Sequence, residues 1–295
     1  MKTMMDQTDR IADNVYMIGN TGIPVYLITG QRLCVLIDAG ITVMGPSYVD
    51  RITSCLAHSG VPLYLFLTHS HYDHIGPIAY LKKRIPGLKV GGYRSIDGVL
   101  RSSRAVELIT SLNRDIETLT GTDDPEIAFK TFRLDVLLDG GETYDTGSDT
   151  LEAIYTPGHT KDSVCYYLRQ RKIMFTGEAA GIKLPTGEIL PEFLSSYKAY
   201  INSLNTLAGY PVDQVAVGHG PRIEGEEARH YFKDSLRATD LFIERIRAYY
   251  RESGSVGDVV ERIKREDYER SGSGQMERAY TINLEAKVKA VIEDK

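Results

Sequence analysis

Cysteine is scarce in this chain of 295 residues. Only Cys34, Cys55 and Cys165 occur, and no two of them form a Cys-x-x-Cys pair. An odd number of widely separated cysteines argues against a disulfide framework and against a thiolate zinc site. We therefore expect all three to be buried and to pack as small apolar side chains.

Long apolar runs are also missing. No segment approaches the roughly 20 consecutive apolar residues that a helix needs to cross a bilayer. The first ten residues carry two acidic and two basic side chains and do not resemble a secretory signal, in which a basic region precedes an apolar one. We expect a cytoplasmic protein that has no membrane partner.

Basic residues are not in excess, since 35 Lys and Arg face 40 Asp and Glu and give a formal net charge of −5. Nucleic-acid binding draws on clustered basic side chains, so this balance argues against nucleic acid as the main partner. The hydrophobic share of 42% and the charged share of 25% are those of an ordinary globular protein. A small-molecule substrate fits this composition.

The order of strand and helix signals predicts an α/β fold. Short β-branched or aromatic segments separated by Gly and Asn indicate strands, and apolar residues at helical spacing indicate helices. Strands return between Phe132 and Phe175, after a charged amphipathic stretch. Early in the chain we predict strands at Asn14–Ile18, Val25–Thr29, Cys34–Asp38 and Tyr64–Leu67, and helices at Ser47–Ser59 and Ile75–Arg84.

The remaining signals divide the chain into two parts. Residues 1–225 are predicted to form a catalytic domain that carries a helical insertion at about 95–120. Val212–Val217 is its last predicted strand, and residues 226–295 are predicted to form a C-terminal helical extension. Strand-rich halves separated by helices indicate a layered architecture in which helices cover packed sheets.

Histidines cluster directly after the predicted strand Tyr64–Leu67. The chain has seven histidines, and His69, His71 and His74 fall within six residues. Asp73 adds a carboxylate to the same segment. Imidazole and carboxylate groups are good ligands for divalent zinc, iron or manganese, and a turn after a strand directs several of them into one cavity. This segment is therefore predicted to bind metal.

Three distant residues repeat the pattern of a strand, a glycine and a metal-binding side chain. His159 lies in Thr156-Pro157-Gly158-His159-Thr160, Glu178 follows Phe175-Thr176-Gly177, and His219 lies in Val217-Gly218-His219-Gly220. One short loop cannot surround a pair of metal ions, so the remaining ligands must come from such distant strand ends. His159, Glu178 and His219 are the candidates.

Taken together, these motifs resemble the metallo-β-lactamase superfamily. The resemblance is carried by His-x-His-x-Asp-His, Thr-Pro-Gly-His-Thr, an acidic residue after a strand, and Gly-His-Gly, between Ile18 and Pro221. It implies an αββα sandwich with a helical insertion and a helical C-terminal appendage. It also implies two divalent metal ions, zinc or iron, with manganese a third option.

The resemblance assigns a role to each candidate ligand. It implies that His69, His71 and His159 bind the first metal and that Asp73, His74 and His219 bind the second. Glu178 stands at the bridging position, where the family usually carries aspartate. Asp38 matches the family's aspartate that orients a ligand histidine.

Paired metals imply a mechanism in which a metal-bound hydroxide attacks the substrate while one metal polarises the attacked oxygen. Asp73 is expected to act as a catalytic residue that takes up a proton during collapse of the intermediate. No serine or cysteine nucleophile is required.

Within the superfamily, the chain most resembles the quinolone-signal response thioesterase and the glyoxalase II-like enzymes. That resemblance includes Pro24-Val25-Tyr26-Leu27, Leu112-Asn113-Arg114 and Glu178-Ala179-Ala180-Gly181, and it implies hydrolysis of an acyl or aromatic thioester. Lactone or phosphodiester hydrolysis on the same site, or a non-catalytic regulatory protein that retains the fold, are the alternatives. Family analogy also allows a homodimer. A di-iron redox protein fits less well, since the similar redox proteins usually carry glutamate at the position of His71.

Overall fold

The computed structural model describes residues 8–56, 60–271 and 276–293. These residues form two compact units. Unit 1 comprises the described residues up to Tyr155 together with Tyr166–Arg171, and unit 2 comprises Thr156–Cys165 and the described residues from Lys172 onward. The predicted division at residue 225 is a different one and stays a prediction.

Unit 1 contains a seven-stranded sheet in which the strands follow one another in chain order. Its first four strands pair antiparallel, and its last four strands pair parallel. The unit also contains an antiparallel hairpin of two later strands. The strands are β1 (Thr8–Ala12), β2 (Val15–Asn20), β3 (Ile23–Ile28), β4 (Cys34–Ile37), β5 (Leu63–Phe66), β6 (Lys89–Tyr93), β7 (Val136–Leu138), β8 (Thr143–Asp145), β9 (Thr150–Tyr155) and β10 (Val164–Leu168, of which Tyr166–Leu168 belong to this unit).

Helices connect the parallel strands of unit 1, as parallel pairing requires a crossover. The long insertion helix begins at a Ser102 cap, whose hydroxyl accepts from the Ala105 N–H, and ends at Gly121 in the left-handed conformation. The helices are α1 (Gly45–Leu56), α2 (Tyr72–Ile75), α3 (Ile78–Arg84), α4 (Ile96–Arg101) and α5 (Ser103–Thr120). The predicted helical insertion is therefore present as α4 and α5.

The core of unit 1 lies against the central parallel strands. All four residues of β4 are buried, which explains why this strand has a continuous apolar sequence without polar alternation. Leu36 and Leu65 pack with Tyr48 and Ile52 of α1 and with Ile78 of α3 in one apolar cluster. This packing fixes the position of the chain segments that leave β4 and β5.

Unit 2 begins with a loop and then alternates short strands with helices. β11 pairs parallel with β14, with a register shift between Phe175 and Gly177, and β14 pairs antiparallel with β15. The strands are β11 (Ile173–Gly177), β12 (Ile182–Lys183), β13 (Ile189–Leu190), β14 (Gln214–Val217) and β15 (Ile223–Glu224). The helices are α6 (Tyr197–Leu207), α7 (Gly225–Ser253), α8 (Val256–Ser271) and α9 (Glu277–Ile292).

The C-terminal segment is helical where the structure describes it, as predicted. Gly254 ends α7 in the left-handed conformation, with φ of 65°, as glycine commonly does at the end of a helix. Residues 57–59 of the predicted helix Ser47–Ser59, and residues 272–275 and 294–295 of the predicted extension, lie outside the described residues. Strand β1 and helix α6 were not predicted.

No helix among the described residues is both long enough and apolar enough to span a membrane.

The cysteines do not share one environment. Cys34 and Cys165 are buried, whereas Cys55 is exposed, so the expectation of three buried cysteines is wrong at that position. Cys55 lies in the last turn of α1, one residue before its end at Leu56. Burial raises the pKa of the Cys165 thiol to about 12.

We predict that Cys55 alone is alkylated by iodoacetamide in the folded protein at neutral pH. The thiolate is the reactive form, and burial shields Cys34 and Cys165 from the reagent and raises the pKa of the Cys165 thiol. Mass spectrometry of the labelled peptides measures this directly, with the denatured protein as the control in which all three react. Labelling of Cys165 at the rate of Cys55 in the folded protein would contradict the burial described here.

Candidate metal centre

The first group of predicted ligands and the orienting residue Asp38 follow the carboxyl ends of two neighbouring parallel strands in unit 1. Asp38 follows β4, and the segment Thr68–His71 follows β5 and leads into α2. Because β4 and β5 run parallel, both segments leave the sheet at the same edge. The local fold therefore places Asp38 beside the histidine motif.

Four predicted ligands lie together in unit 1. The rings of His69 and His71 have centroids 4.5 Å apart, and those of His69 and His74 have centroids 4.1 Å apart. The Nε2 atom of His74 lies 4.0 Å from Oδ1 of Asp73. We call His69, His71, Asp73 and His74 the first cluster, and its mixture of imidazole and carboxylate is compatible with binding metal ions.

Asp38 supports the first cluster through hydrogen bonds with His74 and Thr68. Its Oδ2 lies 2.9 Å from Nδ1 of His74, and its Oδ1 accepts from the Thr68 main-chain N–H at 2.8 Å. The Thr68 hydroxyl donates to Oδ2 at 2.8 Å. A carboxylate that accepts from Nδ1–H leaves Nε2 as the unprotonated ring nitrogen, which is the tautomer that binds a metal.

The backbone at Asp38 is also unusual, with φ of 63°. The left-handed region is disfavoured for residues other than glycine, although aspartate tolerates it better than most. Here the three contacts of the carboxylate compensate for that conformation. Asp38 is only 4% exposed, and a buried carboxylate is stable only when such donors satisfy it.

The second group lies in unit 2 and arises in the same way. β11 ends at Gly177, immediately before Glu178, and β14 ends at Val217, two residues before His219. The two strands are parallel, so their carboxyl ends meet. Oε1 of Glu178 lies 2.9 Å from Nε2 of His219.

Gly218 leaves space for the side chain of Glu178. A Cβ atom at residue 218 would lie 2.9 Å from Oε2 of Glu178 and 3.0 Å from the carbonyl carbon of Gly177. The first distance is shorter than real Cβ contacts, and the second is tighter than nine in ten of them. The glycine of the Gly-His-Gly motif therefore leaves the space that the glutamate occupies.

His159 is positioned by its own loop. Gly158, with φ of 137°, packs so closely on Tyr200 that a Cβ atom would lie 2.3 Å from the Tyr200 main chain. This contact explains the glycine of the Thr-Pro-Gly-His-Thr motif. Nδ1 of His159 makes a short hydrogen bond with the main-chain oxygen of Glu192. Nε2 is then the ring nitrogen that would be available to a metal.

Sequence analysis missed two residues that support this group. Glu192 and Lys287 form a buried ion pair, with Oε1 and Nζ 2.7 Å apart. Burial raises the pKa of the Glu192 carboxyl, and the nearby Lys287 ammonium opposes that rise. They are 95 residues apart in sequence, and neither lies in a recognisable motif.

We use the name second cluster for the three predicted ligands that belong to unit 2, which are His159, Glu178 and His219. Glu178 is buried and His219 is partly exposed. Glu192 interacts electrostatically with both Glu178 and His219 and contacts His159 through its main chain. The donors of this cluster are again imidazole and carboxylate, a set compatible with divalent metal ions.

We predict that Asp38→Ala weakens metal binding by about ten- to a hundredfold, the usual effect of removing a residue that orients a ligand histidine. Chelator competition on the folded variant measures this affinity. Asp50→Ala is the matched control, because Asp50 is exposed on α1. Equal metal affinity of Asp38→Ala and the unsubstituted protein would show that the Asp38–His74 contact does not orient a ligand.

Comparison with known proteins places this architecture in a family. The model of the metallo-β-lactamase superfamily matches residues 18–219. A metallo-β-lactamase fold-containing protein of Sulfurisphaera tokodaii is 25% identical over 74% of this chain and 80% of that protein, and its crystal structure gives a TM-score of 0.57. A β-lactamase domain protein from Burkholderia ambifaria gives a TM-score of 0.68 over 98% of this chain and 88% of that chain, at 17% identity.

Fungal relatives are also similar. The atrochrysone carboxyl ACP thioesterase of Aspergillus fumigatus is 27% identical over 64% of this chain and 37% of its own length. This chain spans less than two thirds of several other fungal relatives, with matched shares of 56% and 53% for two lactamase-like proteins.

The predicted fold class is confirmed, because strands and helices, an inserted helical segment and C-terminal helices occur as expected and the solved structures share this fold. The family model covers more than half of the sequence and includes every predicted ligand. The chain therefore belongs to the metallo-β-lactamase superfamily.

Proposed function

We propose that this protein is a hydrolase that uses two divalent metal ions to cleave an acyl or aromatic thioester. Members of the superfamily are generally hydrolases. The observation that carries the proposal is that every predicted ligand is an imidazole or a carboxylate group, and that Asp38 and the Glu192 main-chain oxygen contact two of the imidazoles at Nδ1. Such donors suit zinc, iron and manganese.

The ligand pattern of the superfamily supplies the assignment of residues to metals. We assign His69, His71 and His159 to the first ion, and Asp73, His74 and His219 to the second, with Glu178 at the bridging position. Bound there, the metals would lower the pKa of a water molecule and polarise the oxygen of the substrate.

The chain's own residues have separate tasks in this proposal. Asp38 and the main-chain oxygen of Glu192 orient His74 and His159. Asp73 receives a proton when the tetrahedral intermediate collapses, a role that suits a carboxylate at the edge of the cluster, where its side chain is 12% exposed.

Thioesters are the favoured substrate class because of the relatives. Two similar fungal proteins are atrochrysone carboxyl ACP thioesterases, at 27% and 26% identity. The resemblance to the quinolone-signal response thioesterase points to the same chemistry and stays a prediction. The small-molecule substrate, the cytoplasmic location and the homodimer stay predictions as well.

Metal content provides the first test. We expect about two metal ions per chain, as in other two-metal hydrolases, after reconstitution with zinc, iron or manganese and removal of excess ion. Elemental analysis measures both number and identity. Glu178→Ala should reduce the number, because it removes the carboxylate assigned to both ions. One ion or none in the reconstituted protein would contradict the dinuclear assignment.

Substrate class provides the second test. We expect the reconstituted protein to hydrolyse an acyl or aromatic thioester faster than a lactone or a phosphodiester, as followed by release of free thiol, acid or alcohol. His69→Ala should abolish this activity, whereas His230→Ala should retain it, because His230 is exposed on α7. Preference for the lactone or phosphodiester would replace the thioesterase assignment, and inactivity on all three with two metals bound would favour a regulatory role.

A further inference from the structure

Lys287 is an unusual residue for its position on the C-terminal helix α9. It is 3% exposed and is the only buried lysine or arginine in the part of the chain that the structure describes. Its helix neighbours Leu284, Val288 and Val291 are buried and apolar. A buried ammonium group is costly unless it is paired, so the position of Lys287 requires an explanation.

The partner of Lys287 is Glu192, which is itself 2% exposed. The Lys287 Nζ donates to Oε1 of Glu192 at 2.7 Å, and the same ammonium lies 6.0 Å from the centroid of the Phe242 ring. Solvent screens such a pair weakly, in contrast to an exposed one. The pair therefore fixes Glu192 firmly to α9.

Glu192 is also the residue that orients His159. Its main-chain oxygen accepts from Nδ1–H of the imidazole, and its main-chain N–H donates to the Tyr200 hydroxyl at 3.4 Å. The side chain and the main chain of one residue thus join a C-terminal helix to a residue of the second cluster. A shift of Glu192 would change the direction of the imidazole.

Other contacts at this loop are made to main-chain oxygens. The N–H groups of Leu194 and Ser195 donate to the carbonyl oxygens of Gly158 and His159, and the Ser203 hydroxyl donates to Pro157 O at 2.7 Å. They keep the loop in place. The Glu192 oxygen, in contrast, contacts the His159 ring itself, at Nδ1.

We propose that Lys287 is a positioning residue for the metal centre, which fixes Glu192 from α9 and thereby directs the His159 imidazole toward its metal. The inference rests on the proposed function in one respect, the role of His159 as a ligand. It extends that function by making metal affinity depend on the C-terminal helix.

The test compares Lys287→Met with Lys289→Met. Both substitutions remove an ammonium from α9, but Lys289 pairs with Glu285 on the surface, with side chains 49% and 50% exposed. We expect Lys287→Met to weaken zinc affinity by about tenfold or more, as loss of a ligand-orienting contact does, and Lys289→Met to leave it unchanged. Chelator competition well below the unfolding temperature gives the affinity of folded protein.

A second readout does not depend on metal. In the metal-free protein, the Nδ1–H of His159 should exchange slowly with solvent, and NMR of the imidazole N–H signals should show faster exchange in Lys287→Met but not in Lys289→Met. A lower thermal stability of Lys287→Met with wild-type exchange and wild-type zinc affinity would overturn the proposal, because the lysine would then serve only folding.

If Lys287→Met does not fold, Glu192→Leu/Lys287→Met replaces it. This variant removes both buried charges, a change that folded proteins often tolerate, and keeps the main-chain oxygen at residue 192. Fast exchange and weakened zinc binding would support the proposal, and wild-type values would refute it. A wild-type protein that binds no metal yet shows the exchange difference would refute the proposed function alone.

Discussion

The two ligand clusters depend on one constraint of β-structure, which is that parallel neighbours end at the same edge of a sheet. In unit 1 the ends of β4 and β5 bring Asp38 beside the histidine motif. In unit 2 the ends of β11 and β14 bring Glu178 beside His219. The strands themselves are buried and apolar, so the polar side chains lie just beyond the ends of the strands. Residues far apart in sequence thereby become neighbours.

Three carboxylates in or beside the two clusters are buried. Asp38, Glu178 and Glu192 are all at most 4% exposed, and each has a nitrogen partner within 2.9 Å. A carboxylate in a medium of low dielectric is stable only with such partners. The Asp38 carboxylate also contacts Nδ1 of His74, and the main-chain oxygen of Glu192 contacts Nδ1 of His159, so two of the residues with buried charges also set the direction of imidazole rings. Stability and ligand geometry are therefore coupled in this protein.

Several elements could be predicted from the sequence because their signals are local. The strands β2 to β5, the insertion helices and the long C-terminal helices follow from apolar periodicity and from turn residues. Other features were missed or misjudged. Cys55 was expected to be buried but is exposed in the last turn of α1, because the expectation rested on residue type, which does not fix the position of a side chain near a helix end. Helix α6 begins at a Ser196 cap that sequence analysis did not identify.

The sequence by itself determined the chemical identity of the candidate ligands and the family, because the motifs His-x-His-x-Asp-His, Thr-Pro-Gly-His-Thr and Gly-His-Gly are compact and their spacing is set by strand ends. Only the tertiary structure decided which ring nitrogen of His74 and of His159 is engaged by a supporting oxygen. It also decided that Lys287 reaches Glu192 across 95 residues of sequence. Such pairings depend on the path of the whole chain, and a lone lysine on an apolar helix face carries no local signal that names its partner.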